Sequence, residues 1–147
     1  MKIKDISKIT GREVITVEPN AALSEAIDKM VNNTIGALPV CEANGKLVGI
    51  ISERDILKGL FQRSNNISNA KVKDIMTKDV IVGIPEDDIE VVLKTMTEKG
   101  VRHLPLMAGS KIVGIVSIRD LIEEKLTECS SKVRYLNDYI SGGFSQT

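Results

Sequence analysis

Apolar and polar positions follow the same order of patterns twice along the chain. A short β-rich run, over 14–17 and again over 80–84, ends at a proline and is followed by apolar residues at helical spacing. Those helical positions are Ala22, Ala26, Ile27 and Met30 in the first copy and Ile89, Val92, Leu93 and Met96 in the second. The pattern predicts a strand followed by an amphipathic helix in each half.

A pair of apolar runs separated by turn residues comes next in each half. The runs cover 35–40 with 47–51, and 101–106 with 112–116, so each pair predicts a β-hairpin. A second helix is expected after Ser52 in the first half and after Ser117 in the second. The predicted order of elements is therefore β-α-β-β-α, twice.

The residues themselves also repeat. The segment "GKLVGIISERDIL" at 45–57 matches "SKIVGIVSIRDLI" at 110–122, and "IGALPV" matches "VRHLPL". Neither half is large enough to close a core alone. We expect an α+β fold in which repeat 1 (1–66) and repeat 2 (67–128) pack their strands together with pseudo-twofold symmetry, leaving equivalent clefts between them. The linker 62–79 is polar at first and then apolar around Val72, Ile75 and Met76, and it is expected to cross the surface before it enters repeat 2.

A long C-terminal helix is predicted beyond the second repeat. Its apolar residues recur at heptad-like steps and end before Gly142-Gly143, and they are Ile122, Leu126, Cys129, Val133, Leu136 and Ile140. Poor helix formers leave open a break near 130. The region 129–147 is thus assigned as a helical extension with a frayed tail. The seam needs a partner surface, which is the chain's own first helices, a second copy, or another protein.

Composition narrows the function classes. Hydrophobic residues make up 42% of the 147, which suffices for a packed core, and the formal net charge of +0 argues against nucleic acid as a partner. No apolar window approaches a membrane span, and the first residues are not typical of a signal peptide. Cys41 and Cys129 are then expected to be reduced thiols in a cytoplasmic protein.

The repeated Ser-x-x-Asp turn is the first candidate site. Ser52 with Asp55, and Ser117 with Asp120, have the spacing of a capping box at a helix N-terminus. The same turn offers free N–H groups that suit phosphate, and a carboxylate there can accept both hydroxyls of a ribose. A cap and a ligand site are compatible uses of one turn.

Together, "VGIISERD", "VGIVSIRD", "GALPV", "RHLPL" and the β-α-β-β-α order resemble a tandem pair of CBS domains, also called a Bateman module, over most of the chain. The resemblance implies a standalone regulatory module without catalysis or a catalytic cofactor. It implies an adenine nucleotide ligand (AMP, ADP, ATP or NAD) bound between the repeats, a homodimer, and an unidentified regulated protein that reads the energy state. A nucleotide-independent scaffold that dimerises through the C-terminal helix is the alternative.

The resemblance also assigns roles to residues. Asp120, Ser117, Asp55 and Ser52 would hold ribose, and Arg102, His103, Arg54 and Arg119 would hold phosphate. Arg102 and His103 align with uncharged Gly36 and Ala37, so the Asp120 cleft is expected to be the stronger one. Arg54 and Arg119 either reach across the pseudo-twofold or are exposed helix residues. The adenine slot is assigned to Val82, Gly83, Ile84, Val101 and Pro105, and to Thr16, Val17, Ile35, Ala37 and Pro39.

Catalytic and metal sites have little support in the sequence. His103 is the only histidine, and a lone histidine beside proline and leucine is more typical of a packed strand than of a metal ligand. No phosphate-cradling glycine-rich loop and no neighbouring Cys–His pair is present. An enzyme is therefore the weakest of the three hypotheses, and no metal is expected.

Overall fold

A computed structural model describes residues 1–6, 8–9, 11–63 and 67–140. The helices are α1 (Leu23–Asn33), α2 (Glu53–Gln62), α3 (Val72–Ile75), α4 (Ile89–Lys99) and α5 (Ile118–Ile140). The strands are β1 (Ala37–Cys41), β2 (Leu47–Ser52), β3 (His103–Ala108) and β4 (Lys111–Ser117), and 3₁₀ turns cover Ile3–Asp5 and Ile67–Asn69. This mixed helix and strand architecture confirms the predicted fold class.

Each repeat is built on one antiparallel hairpin. β1 pairs with β2, and β3 pairs with β4, each with a register shift near the end of its first strand. The register places Ala37 opposite Ser52 and His103 opposite Ser117. This pairing brings the residue before each hairpin next to the helix that follows the hairpin. In repeat 2, for example, Ile118 N donates to Arg102 O at 2.8 Å.

The predicted first strand of each repeat, over 14–17 and 80–84, is wrong as a strand. Each run forms a single parallel bridge, between Val17 and Val40 and between Gly83 and Leu106. Val17 N donates to Pro39 O at 3.1 Å, and extending this ladder backwards requires an N–H that Pro39 lacks. Pro105 has the same effect beside Gly83, so the runs stay extended without forming strands.

The helices that precede the hairpins end in matching turns. The C-cap residues that follow α1 and α4 are Thr34 and Gly100, both in the left-handed conformation with φ of 53° and 68°. The next amide then donates back to the last helical turn, from Ile35 to Met30 O and from Val101 to Met96 O, each at 3.0 Å. These turns place Ile35 and Val101 at the start of the two hairpins.

The hydrophobic core has two parts, and each is completed by the segment that precedes the other repeat. Ile3, Ile6 and Ile9 from the N-terminal segment pack with α4, β3, β4 and α5 of repeat 2. Ala70 and Val72 from the linker pack with repeat 1 and are 2% and 0% exposed. The expected surface crossing of the linker is therefore wrong for this part, because its apolar residues close the core of repeat 1.

α5 is one helix from Ile118 to Ile140, without the break considered near 130. Its first turns contact α4, and Lys125 Nζ lies 2.9 Å from Glu90 Oε1. All residues from Cys129 to Ile140 are exposed, so no described part of the chain covers this half of the helix. Gly142-Gly143 and the tail lie outside the described residues.

Membrane insertion through a helix receives no support from the structure. None of the helices within 1–6, 8–9, 11–63 and 67–140 has the length and apolar character that a bilayer span requires.

Candidate functional site

A cavity of about 1710 Å³ lies between the two repeats. It is lined by the N-terminal turns of α2 and α5, by the hairpin entrances, and by the extended runs before α1 and α4. Asp55 and Asp120 both face it, so the predicted pair of clefts is one continuous space. Ligand pockets usually measure roughly 300–1,000 Å³, so this cleft has room for more than one small ligand.

The Ser52 turn forms a complete capping box at the start of α2. Ser52 N donates to Asp55 Oδ2 at 2.9 Å, and Asp55 N donates to Ser52 Oγ at 3.3 Å. The Ser52 hydroxyl also donates to Asp55 Oδ2, at 3.0 Å. Thr77 Oγ1 donates to the other oxygen, Oδ1, at 2.9 Å. Both oxygens of the Asp55 carboxylate are therefore engaged within the protein.

The Ser117 turn has only half of this arrangement. Asp120 N donates to Ser117 Oγ at 3.1 Å, so Ser117 caps α5. No donor in the described part of the chain reaches the Asp120 carboxylate, which faces the cleft half-buried. The two aspartates are equivalent in sequence but different in structure, because only Asp120 has a carboxylate available to a ligand.

The segments that precede the two repeats are similar in sequence but meet the aspartates differently. "KIKDIS" and "KVKDIM" match, and in both the first lysine N–H is held by the aspartate, Lys2 by Asp5 and Lys71 by Asp74. Three residues after each aspartate stands Lys8 in one copy and Thr77 in the other. Sequence reasoning missed both residues as site residues. The structure does not superpose them, because Met76 and Thr77 lie beside Gly49 whereas Ile9 lies beside the matching Gly114.

Arg102, which directly precedes β3, and His103, the first residue of β3, both line the cleft that Asp120 also lines. Burial lowers the pKa of His103, and the charge of Arg102 lowers it further, while Glu53 and Asp120 act to raise it. Glu53 belongs to repeat 1, and its carboxylate lies near the His103 ring on either side of Gly36. A Cβ added at Gly36 would meet Glu53 Oε1 at 3.0 Å and His103 Cε1 at 3.5 Å. Gly36 therefore leaves the room in which His103 and Glu53 approach each other.

His103 provides a pH-dependent prediction. The unfolded chain binds its proton at the usual pKa of 6.5, whereas burial shifts the folded chain's pKa downward. Above pH 6.5 both states hold a neutral ring, and below it the unfolded state gains the proton first, so stability falls as pH decreases. We expect His103→Gln to lose less Tm than the wild type between about pH 7.5 and about pH 5.5. An identical loss of Tm in both chains would contradict this assignment.

Arg54 and Arg119 both line the cleft at the first turns of α2 and α5. Arg119 Nε lies 3.3 Å from Glu123 Oε1, and the Arg119 side chain is 86% exposed. Arg54 is also exposed. Neither side chain is fixed across the pseudo-twofold, so a role for either in the opposite half of the cleft stays a prediction.

Only part of the predicted adenine slot lies at the cleft. Ile35, Ala37 and Val101 line it, whereas the rest lie outside, namely Val82, Gly83, Ile84, Pro105, Thr16, Val17 and Pro39. Val17, Pro39, Gly83 and Pro105 are buried, while Val82 and Ile84 are each 46% exposed. The extended runs line the cleft at Ile15 and Ile81, two residues before the bridging residues Val17 and Gly83, because each bridging residue is held against the hairpin.

A metal centre has no obvious ligand set in the described residues. No group of three or more histidine, cysteine, aspartate or glutamate side chains is close enough together there to hold an ion. Cys41 is buried, Cys129 is exposed, and both are free thiols. The chemistry that the cleft offers is hydrogen bonding and charge.

The family model for the CBS domain matches residues 3–62 and 72–127. The chain therefore belongs to the CBS domain family and carries a tandem pair of these domains. Its fold is similar to that of the CBS-domain protein ATU1752 from Agrobacterium tumefaciens, with a TM-score of 0.80 at 30% identity, over 85% of this chain and 99% of that one.

Two further relatives are a CBS domain pair solved with bound ligands and a protein longer than this chain. The CBS domain pair of protein MJ0100, solved with 5′-methylthioadenosine and S-adenosyl-L-methionine, has a TM-score of 0.77 at 28% identity, over 87% of this chain and 98% of that one. Protein MJ1225 from Methanocaldococcus jannaschii is 31% identical over 118 residues, which are 80% of this chain and 41% of that protein. The chain thus spans about two fifths of the length of MJ1225.

Proposed function

We propose that this chain is a non-catalytic regulatory module that binds an adenine nucleotide, of the AMP, ADP, ATP or NAD class, in the cleft between its CBS repeats. The observation that carries the proposal is the Asp120 carboxylate, which faces the cleft without a hydrogen-bond donor in the described residues. A half-buried carboxylate without donors is costly unless a ligand or water supplies them.

The surroundings of Asp120 match the parts of a nucleotide. A carboxylate accepts hydrogen bonds from the two ribose hydroxyls, and charged acceptors make the stronger bonds of this kind. Arg102 suits phosphate because its guanidinium offers parallel N–H groups, and neutral His103 can donate once more. Val101 and Ile81 add apolar surface for the base at the same end of the cleft. The adenosine compounds bound by the MJ0100 pair support an adenosine ligand here.

The Asp55 half of the cleft is proposed as the weaker site. Its carboxylate already accepts from Ser52 and Thr77, and a ribose would have to replace those donors. Gly36 and Ala37 supply no charge where Arg102 and His103 stand in the other half. One tightly held nucleotide per chain is the expected stoichiometry, and the energy state it reports would be read by a regulated partner protein.

Native mass spectrometry and thermal unfolding test the proposal together. We expect protein purified without added ligand to retain a nucleotide or to take one up, and AMP, ADP, ATP or NAD to raise Tm. A ligand present at 100 times its Kd adds about 2.7 kcal/mol to the free energy of unfolding. If none of the four shifts Tm at millimolar concentration and no nucleotide mass is retained, the proposal is wrong.

A second function, that of a dimerising scaffold, has one observation in its favour. α5 extends beyond the fold, and the apolar side chains of its seam are exposed, with Leu126 at 61%, Val133 at 51% and Leu136 at 54%. An isolated helix of this length is marginal in water, so a covering surface is needed. We propose a second copy of α5 as that surface, because one apolar seam can serve both sides of a twofold contact.

A further inference from the structure

Lys8 is a charged residue of the cleft that has no role in the proposed nucleotide site so far. It lies on the N-terminal segment, which is anchored to repeat 2 by the buried side chains of Ile6 and Ile9. Its ammonium Nζ lies 2.8 Å from Glu123 Oε2 on α5, and both side chains are about half exposed at 53% and 43%. Lys8 also lines the cavity that contains Asp120.

The position of Lys8 has a counterpart with a known contact. Thr77, which stands three residues after Asp74 as Lys8 stands three residues after Asp5, donates to the Asp55 carboxylate at 2.9 Å. The charge of Asp120 acts on Lys8, so the two groups are near each other, yet the lysine bonds Glu123 instead. Where repeat 1 has a neutral donor on its aspartate, repeat 2 thus has a cation paired with Glu123, one helical turn after Asp120.

The ion pair that holds Lys8 is weak enough to exchange. Solvent-exposed pairs of this kind contribute only about 0–1 kcal/mol. A phosphate group carries more charge than a carboxylate and offers more acceptor oxygens, so it competes well for the same ammonium. Lysine has a flexible stem and rotatable donors, which let it move from Glu123 to a ligand without moving the backbone.

We propose that Lys8 binds the phosphate of the nucleotide, and that Lys8 pairs with Glu123 while the cleft holds no ligand. The geometry that carries this is the position of Lys8 at the wall of the cavity that Asp120 and Arg102 also line. This inference rests on the proposed nucleotide site and adds a residue that would discriminate among adenosine ligands. Lys8 makes the cleft prefer a phosphorylated adenosine over an uncharged one such as 5′-methylthioadenosine.

Calorimetric titration of Lys8→Met with AMP and with 5′-methylthioadenosine tests the inference. We expect the affinity for AMP to fall about tenfold or more, as for the loss of one charged hydrogen bond, and the affinity for 5′-methylthioadenosine to stay within about twofold. Lys94→Met is the matched control, because Lys94 is 77% exposed on α4, lies away from the cleft and changes the net charge equally. It should bind both compounds as the wild type does.

The outcomes separate the two proposals. An equal loss for both compounds, or no loss for AMP, shows that Lys8 does not read the phosphate, while the nucleotide site itself stands. If the wild type binds neither compound, the proposed function fails and this inference fails with it.

Glu123→Gln gives a second test that does not depend on how well Lys8→Met folds. Removing the competing carboxylate should raise the affinity for AMP about threefold, in line with the small contribution of an exposed pair. Glu123 also pairs with Arg119, so the gain must disappear in the Lys8→Met, Glu123→Gln double variant. A gain that persists there would assign the effect to Arg119 and overturn the role of Lys8.

Discussion

We expect Asp120→Ala to abolish most of the proposed nucleotide binding while leaving the fold nearly as stable as before. The carboxylate makes no hydrogen bond within the described chain, and Ser117 still caps α5 through the Asp120 backbone N–H. The loss of stability should stay below about 1 kcal/mol, the range of a carboxylate at a helix N-terminus. Two ribose hydrogen bonds to a charged acceptor contribute about 3 kcal/mol, so Kd should rise about 100-fold.

Asp55→Ala is the matched substitution in the other repeat, and we expect the opposite result. It removes the acceptor for Ser52 N, Ser52 Oγ and Thr77 Oγ1. The free energy of unfolding should fall by about 1–3 kcal/mol, because a cap and a side-chain bond are both lost. Nucleotide affinity should fall less than tenfold. Urea unfolding and calorimetry on the two variants measure all four quantities, and equal effects of the two substitutions on binding would contradict the assignment of Asp120 as the stronger site.

The order of elements was predictable because it depends on local patterns. Helical spacing located α1 and α4, and the paired apolar runs located both hairpins to within a few residues. The prediction of strands at 14–17 and 80–84 was wrong for a reason that lies outside these runs. Their strand character depends on a partner, and Pro39 and Pro105 in that partner remove the N–H that a longer ladder needs. Both prolines are visible in the sequence, but their effect appears only once the pairing is known.

The site residues that belong to the repeated sequence motifs could be predicted from the sequence. Ser52, Asp55, Ser117, Asp120, Arg102 and His103 all line one cavity. The sequence also predicted that the Asp120 half would carry the charge, but from Arg102 and His103 alone. The lack of a donor to the Asp120 carboxylate among the described residues and the position of Lys8 depend on which segment packs against which repeat. Apolar spacing cannot tell that Ile3 and Ile6 complete repeat 2 instead of the repeat that follows them, so this part of the site required three-dimensional structure.

Removal of the apolar seam of α5 is expected to convert a dimer into a monomer. In sedimentation experiments the wild type should behave as a dimer at micromolar concentration, and the chain truncated after Glu128 as a monomer. Leu136→Asp should do the same without loss of the fold, because Leu136 is 54% exposed in the single chain and contacts none of the described core. Burial of a leucine contributes about 1.5–3 kcal/mol, and a twofold contact buries it twice, so the dissociation constant should rise at least about 100-fold.

Ser131→Asp is the control for the seam, since it adds the same charge to an exposed position on the opposite side of α5. It should leave the dimer intact.

AMP should still raise Tm in Leu136→Asp and in the truncated chain, because Asp120, Arg102 and His103 lie before the deleted region. A wild type that stays monomeric at every concentration, or a Leu136→Asp variant that stays dimeric, would reject a second copy as the partner of α5. Loss of both dimer and AMP binding in the same variant would instead show that the nucleotide site and the α5 contact form one coupled unit, which neither proposed function alone predicts.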